Sequence, residues 1–148
     1  MKIEFSDWLQ IQETLARYNR HLDDRDWDAF GDVFTEDAEA SYEAGKVLRG
    51  RAAIVEYVKG VEEAGFRVTE HLGSTFTFDL IEPDRVRTEV PGLGFGVTVE
   101  GSEVDILFVG YRYADEIVRD GDRWRIRHRT YSPVFTSHGP HAAPPVPE

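Results

Sequence analysis

The hydrophobic period of this chain changes once, at Gly65, and that change restricts the fold more than any other feature. Before it, apolar residues recur at helical spacing. Ile11, Leu15, Tyr18 and Leu22 stand at i, i+4, i+7 and i+11, which predicts a helix over residues 7–22 with Ser6 as its cap. The acidic cluster Asp23-Asp24-Arg25-Asp26 interrupts it, and Trp27, Ala29, Phe30, Val33 and Phe34 predict a short second helix. Residues 38–49 read as a small hairpin around Glu43-Ala44-Gly45. A third helix follows Gly50, with Ile54, Val55, Val58 and Val61 on one side, and stops at Ala64-Gly65. Beyond Gly65 the pattern alternates over 66–80, 84–98, 103–118 and 123–133, with turns at Glu82-Pro83-Asp84, Glu100-Gly101-Ser102 and Asp120-Gly121-Asp122. Helices first and a strand meander after them predict an α+β fold, a curved antiparallel sheet wrapped against the N-terminal helices. Residues 1–137 form one domain in this reading. Residues 138–148 hold four of the seven prolines and read as a loose tail or one that docks on a neighbour.

Charge narrows the possible partners. With 28 acidic against 17 basic residues the net charge is −11, which repels phosphate backbones and anionic lipid, so nucleic acid and membrane surfaces are excluded as partners. The basic run Arg123-Trp124-Arg125-Ile126-Arg127-His128-Arg129 does not reverse this, because it alternates as a half-buried strand does. With no cysteine there is no disulfide, thiolate nucleophile or zinc finger. No apolar stretch approaches the roughly 18 residues of a membrane span, and the N-terminus turns acidic too early for a signal peptide, so a cytoplasmic location is expected. Gly92-Leu93-Gly94-Phe95-Gly96 precedes a strand rather than a helix and reads as strand flexibility or a bulge, not a dinucleotide loop. His138 and His141 lack the further ligands that a metal needs.

A curved sheet closed by helices makes a cavity, so the informative residues are polar ones on otherwise apolar elements. These are Tyr18, Asp23, Tyr42, His71 and Arg129. Three of them also have a plain structural explanation: a core tyrosine for Tyr18, a cap or solvated charge for Asp23, a satisfied strand histidine for His71. Arg129 shares its alternation with Arg125 and Arg127, so it reaches the cavity only if that face lines the cavity or a bulge intervenes. Ile11, Leu15, Phe30, Phe34, Val55, Val58, Phe76, Phe78, Phe108 and Trp124 are expected to supply the apolar walls.

The segments Arg17-Tyr18-Asn19-Arg20-His21-Leu22-Asp23-Asp24-Arg25-Asp26-Trp27, Thr69-Glu70-His71-Leu72-Gly73 and Gly110-Tyr111-Arg112-Tyr113-Ala114-Asp115-Glu116 resemble the SnoaL-like branch of the nuclear transport factor 2-like superfamily over residues 6–137. The resemblance implies a single SnoaL-like barrel domain with a cone-shaped, cystatin-like α+β fold. Within the branch the chain is most similar to scytalone dehydratase, bile-acid dehydratase and hexachlorocyclohexane dehydrochlorinase. From these it implies an Asp–His pair at Asp23 and His71, a polar partner at Tyr18, a water-holding tyrosine at Tyr42 and a last-strand arginine at Arg129. Gly92 and Leu22 depart from scytalone dehydratase, where a histidine and a tyrosine stand, which argues against that enzyme's substrate.

These residues suit a lyase that needs neither cofactor nor metal. His71 takes a proton, Asp23 orients its ring, Tyr18 donates to the developing charge, and Tyr42 and Arg129 bind the substrate. A small hydrophobic substrate, hydroxylated and cyclic or polyketide-like, is expected. The alternatives are a polyketide cyclase or ketosteroid-type isomerase using the same groups, and a non-catalytic small-molecule-binding module in which Asp23 and His71 do not touch. The outward face of the sheet predicts a homo-oligomer, trimer or dimer.

Overall fold

The computed structural model describes residues 2–101 and 103–140. Helix α1 (Phe5–Asp23) buries Ile11, Leu15, Tyr18 and Leu22, the stripe that its period predicts. It starts after Glu4, which makes no side-chain cap, so Ser6 lies inside the first turn rather than capping it. Asp7 anchors that turn instead, accepting from Trp124 Nε1 at 3.1 Å and pairing with Arg119. Helix α2 (Trp27–Gly31) is capped by Asp26, whose side chain accepts from the Ala29 N–H. It is shorter than its apolar pattern suggests, because Phe34 already belongs to the first strand. Arg25, with φ 56°, turns the corner between α1 and α2. Helix α3 (Arg51–Gly65) begins after Gly50, whose φ of 88° favours glycine.

Seven strands make one curved, unclosed sheet: β1 (Phe34–Glu43), β2 (Lys46–Arg49), β3 (Val68–Gly73), β4 (Thr77–Glu82), β5 (Arg85–Glu100), β6 (Glu103–Asp120) and β7 (Arg123–Pro140). Their order is β2-β1-β7-β6-β5-β3, with β4 also beside β5. All pairings are antiparallel except β1 with β7, which is parallel. The expected strand over 66–80 is two strands, β3 on residues 92–97 of β5 and β4 on residues 85–89. Between them the Ser74 N–H donates to Pro91 O at 2.9 Å, and Phe76 stacks on Trp8 of α1. Strand β7 continues through His138–Pro140, into the segment that the prolines mark as a tail; residues 141–148, with His141, lie outside the described residues.

The core lies between α1, α2, α3 and the concave face. Trp124, Tyr18, Phe30, Phe34, Ile11, Ile54, Ile117 and Ile126 are all but fully enclosed, and burying a large apolar side chain stabilises by about 1.5–3 kcal/mol. Val55, Phe76 and Phe78 are half-buried against this cluster. Phe108 is a correction. Val109, Tyr111 and Tyr113 face the interior, so alternation turns Phe108 outward, where it meets Phe95 edge-on at 4.7 Å. No helix among the described residues is long and apolar enough to cross a membrane.

Candidate active site

Asp23 is the last residue of α1, where the helix dipole disfavours a carboxylate. Three hydrogen bonds from β3 hold it there. Its Oδ1 lies 2.6 Å from His71 Nδ1 and accepts from the Thr69 hydroxyl at 3.1 Å, while its Oδ2 accepts from the His71 backbone N–H at 2.8 Å. The two side chains are 13 % and 14 % exposed, Asp23 and His71 respectively. A carboxylate can only accept, so in the neutral ring Nδ1 carries the proton and Nε2 keeps its lone pair. Nε2 lies above Gly94, where an added Cβ would stand 3.6 Å from it. Gly94 and His71 both line a cavity of about 230 Å³ between α1, α3 and the sheet.

The glycines 92, 94 and 96 form part of that cavity's construction, not a bulge. The β5–β6 register runs unbroken through Gly92↔Tyr111, Gly94↔Val109 and Gly96↔Leu107. A Cβ at Gly92 would lie 2.5 Å from the Tyr111 ring, and one at Gly96 would run into Phe66.

Opposite the pair is a group of tyrosines. Tyr18 Oη lies 3.0 Å from Tyr42 Oη and 3.5 Å from Tyr113 Oη, and the Tyr111, Tyr113 and Tyr131 rings pack at 4.8–5.8 Å. Burial pushes the Tyr42, Tyr111 and Tyr113 hydroxyls well above the ordinary phenol range, and the neighbouring Tyr18 adds to this. They are therefore neutral hydrogen-bond donors. The Tyr111 hydroxyl has no protein partner.

Arg129 faces inward, but behind the tyrosines. Ile117 pairs with Ile126 and Glu116 with His128, leaving Arg127 as an extra residue that reverses the alternation of β7. The bulge on which an inward Arg129 depends is thus present. The guanidinium makes two 2.7 Å bonds to Asp115 and lies 3.9 Å above the Tyr18 ring and 4.0 Å from that of Tyr113. Burial works against its charge, and the Asp115 carboxylate overrides this, so the arginine stays charged. The cavity lining includes Tyr18, Tyr42 and His71 but not Arg129, which backs two tyrosines instead of meeting the cavity directly.

Two acidic residues were not anticipated. Asp115 shares the inward alternation of Tyr111, Tyr113 and Ile117, which is the signal that finds it. Glu62 follows Ile54 and Val58 at four-residue steps on the buried stripe of α3. It lines the cavity with Thr69 and His71, is 8 % exposed, and its Oε2 has no protein partner. Burial raises its pKa; His71 opposes this, Asp23 reinforces it, and Arg25 and Thr69 oppose it more weakly.

Known proteins share this architecture. An uncharacterized protein of Mycobacterium tuberculosis is 32 % identical over 133 residues, covering 89 % of this chain and 88 % of that protein. Among solved structures, hexachlorocyclohexane dehydrochlorinase LinA-type3 from Novosphingobium barchaimii superposes with a TM-score of 0.81 at 19 % identity, over 95 % of this chain and 96 % of that one. A candidate scytalone dehydratase from Novosphingobium aromaticivorans gives 0.78 at 23 % identity, over 89 % and 87 %. At these identities the two structures speak for the fold. The sequence model of the SnoaL-like domain matches residues 4–130, and the chain belongs to that family, within the nuclear transport factor 2-like superfamily.

Proposed function

We propose that this protein is a cofactor-independent lyase that removes water from a small, uncharged, hydroxylated ring compound in the cytoplasm. The observation that carries this is the 2.6 Å contact between Asp23 and His71 at the wall of a mostly apolar cavity. Nε2 of His71 takes the proton from a carbon beside a carbonyl. The C–H electron pair becomes the new double bond as the C–O bond breaks, and Asp23 stabilises the imidazolium that results. Tyr18, Tyr42 and Tyr111 donate hydrogen bonds to the carbonyl oxygen as it gains charge, and Arg129 keeps the rings of Tyr18 and Tyr113 in place. The names of the two structural neighbours, a dehydrochlorinase and a candidate dehydratase, both denote eliminations and support this reading. A cavity of about 230 Å³, below the roughly 300–1,000 Å³ of drug-sized pockets, supports a one- or two-ring substrate. A non-catalytic binding module expects Asp23 and His71 apart, and is disfavoured by their contact.

The test is a screen of cyclic β-hydroxy ketones, following absorbance of the conjugated enone. Wild type turns over at least one, and His71→Ala with an unchanged circular dichroism spectrum loses about 10²–10⁴-fold. A His71→Ala protein as fast as wild type overturns the reading. Rearranged product without loss of water selects the isomerase or cyclase instead.

Self-association belongs to the same proposal. Leu72, Leu93, Gly110 and Phe135 form one cross-strand row on the outward face, with Leu72, Leu93 and Phe135 51 %, 40 % and 52 % exposed. Sedimentation of wild type against Phe135→Glu reads it, a monomeric wild type being the contrary result.

A further inference from the structure

The proposed elimination gives His71 a proton to accept but leaves the departing oxygen without a donor of suitable acidity. The Tyr42, Tyr111 and Tyr113 hydroxyls are held well above the ordinary phenol range, so they donate hydrogen bonds without surrendering protons. One other acid lines the cavity. Glu62 enters from α3 beside Thr69 and His71 of β3, more than nine-tenths buried and with one carboxyl oxygen unpartnered. A charge there is expensive unless paired, and the help that His71, Arg25 and the Thr69 hydroxyl give it does not outweigh burial. Arg25, the neighbouring cation, directs Nη2 to the backbone oxygens of Phe66 and Arg67, and Asp23 is spent on His71 and Thr69.

We infer that Glu62 is the acid partner of His71, a carboxyl that enters the reaction protonated, hydrogen-bonds the hydroxyl that leaves, and delivers its proton to that oxygen as the C–O bond breaks. The balance closes within the cavity. His71 gains the proton lost by carbon, Glu62 loses one to the leaving hydroxide to make water, and the products are the alkene and that water. The imidazolium and carboxylate left behind attract one another, and return of the proton from His71 to Glu62 resets both. Burial of the acid supports its protonated starting state. The arrangement also selects its ligand. A neutral hydroxyl-bearing ring finds a donor in Glu62, whereas a carboxylate-bearing ring brings a third acid to a site already containing Asp23 and Glu62.

This inference rests on the elimination reading, so its test separates the two. In protein labelled with ¹³C at the glutamate carboxyl carbon, the Glu62 resonance is assigned by its loss in Glu62→Gln. It is expected to remain protonated at a pH where the exposed glutamates have ionised, and to shift when cyclohexanol is added but not when cyclohexanecarboxylate is added. A Glu62 signal that titrates with the surface glutamates, or is unmoved by cyclohexanol, overturns the inference. Should Glu62→Gln fail to fold, Glu62→Asp supplies the assignment by the same loss of the labelled glutamate signal. The dyad is read separately, from the His71 ring ¹⁵N shifts of Asp23→Asn. Ring shifts indifferent to that substitution sink the elimination reading whatever Glu62 does, and a changed ring with an ordinary Glu62 sinks only the acid partner. With an active substrate in hand, Glu62→Gln lowers kcat by 10-fold or more while KM stays within 3-fold; an unchanged kcat also overturns the inference.

Discussion

Asp23 holds His71 twice, by the ring at 2.6 Å and by the backbone N–H at 2.8 Å, so helix α1 fixes both the side chain and the strand that bears it. Ring and main chain are tied to the two oxygens of one carboxylate, so the strand stays anchored even when the ring turns away. The His71 amide is predicted to exchange with solvent at least 10-fold more slowly in wild type than in Asp23→Ala, because a hydrogen bond to a charged acceptor contributes about 1.5–3 kcal/mol. Hydrogen exchange followed by NMR checks this, and equal rates contradict it.

The Arg129–Asp115 pair is enclosed, with side chains 1 % and 0 % exposed. Removing one partner strands a charge in the core. Arg129→Met and Asp115→Leu are each predicted to cost about 3–5 kcal/mol in urea unfolding, and the double substitution to cost clearly less than their sum. Additive losses would contradict this account of the pair.

Stability should depend on pH through Glu62. Its folded pKa is raised above 4.5 chiefly by burial, so the folded chain binds this proton more tightly than the unfolded chain does. The stabilisation is complete below pH 4.5 and is lost as pH rises through the raised value. Glu62→Gln has no proton to lose, so its Tm relative to wild type is predicted to climb across that window. Parallel thermal melts read the difference; a flat difference contradicts it.

Gly92→Ala is predicted to drive the Tyr111 ring from its seat, since the new Cβ would lie 2.5 Å from it. A cost of about 1–3 kcal/mol and weaker cyclohexanol binding are expected, by thermal melts and NMR titration. Gly45→Ala, at a turn with open space around it but a φ of 79°, is the comparison: it strains the backbone and leaves cyclohexanol binding unchanged.

The sequence showed the overall order of elements because one period gives way to another at Gly65, whereas Asp23 and His71 stood out as polar residues with ordinary explanations and were read as a pair only through the family resemblance. What escaped it depended on distant partners. The break between β3 and β4 follows from Phe76 turning onto Trp8, and the cap at Ser6 yields to Asp7, which Trp124 and Arg119 hold from the other end of the chain. Glu62 was hidden beside Val61, since an apolar residue one position away satisfies nearly the same stripe. Arg129 could be placed inside only if its whole strand face lined the cavity or a bulge intervened, and a bulge is a property of strand pairing that a single strand does not display.

That bulge has an evolutionary consequence. Arg127 is one residue wide, and on either side of it β7 shows opposite faces to the interior: Trp124 and Ile126 before, Arg129 after. Loss of the Arg127 codon would leave the reading frame and almost the whole composition intact, set His128 directly after Ile126, and straighten the ladder with Glu116 still against His128 and Asp115 still against Arg129. Substitutions can drift along this strand one at a time, and even its length can change at residue 127 without parting Asp115 from Arg129.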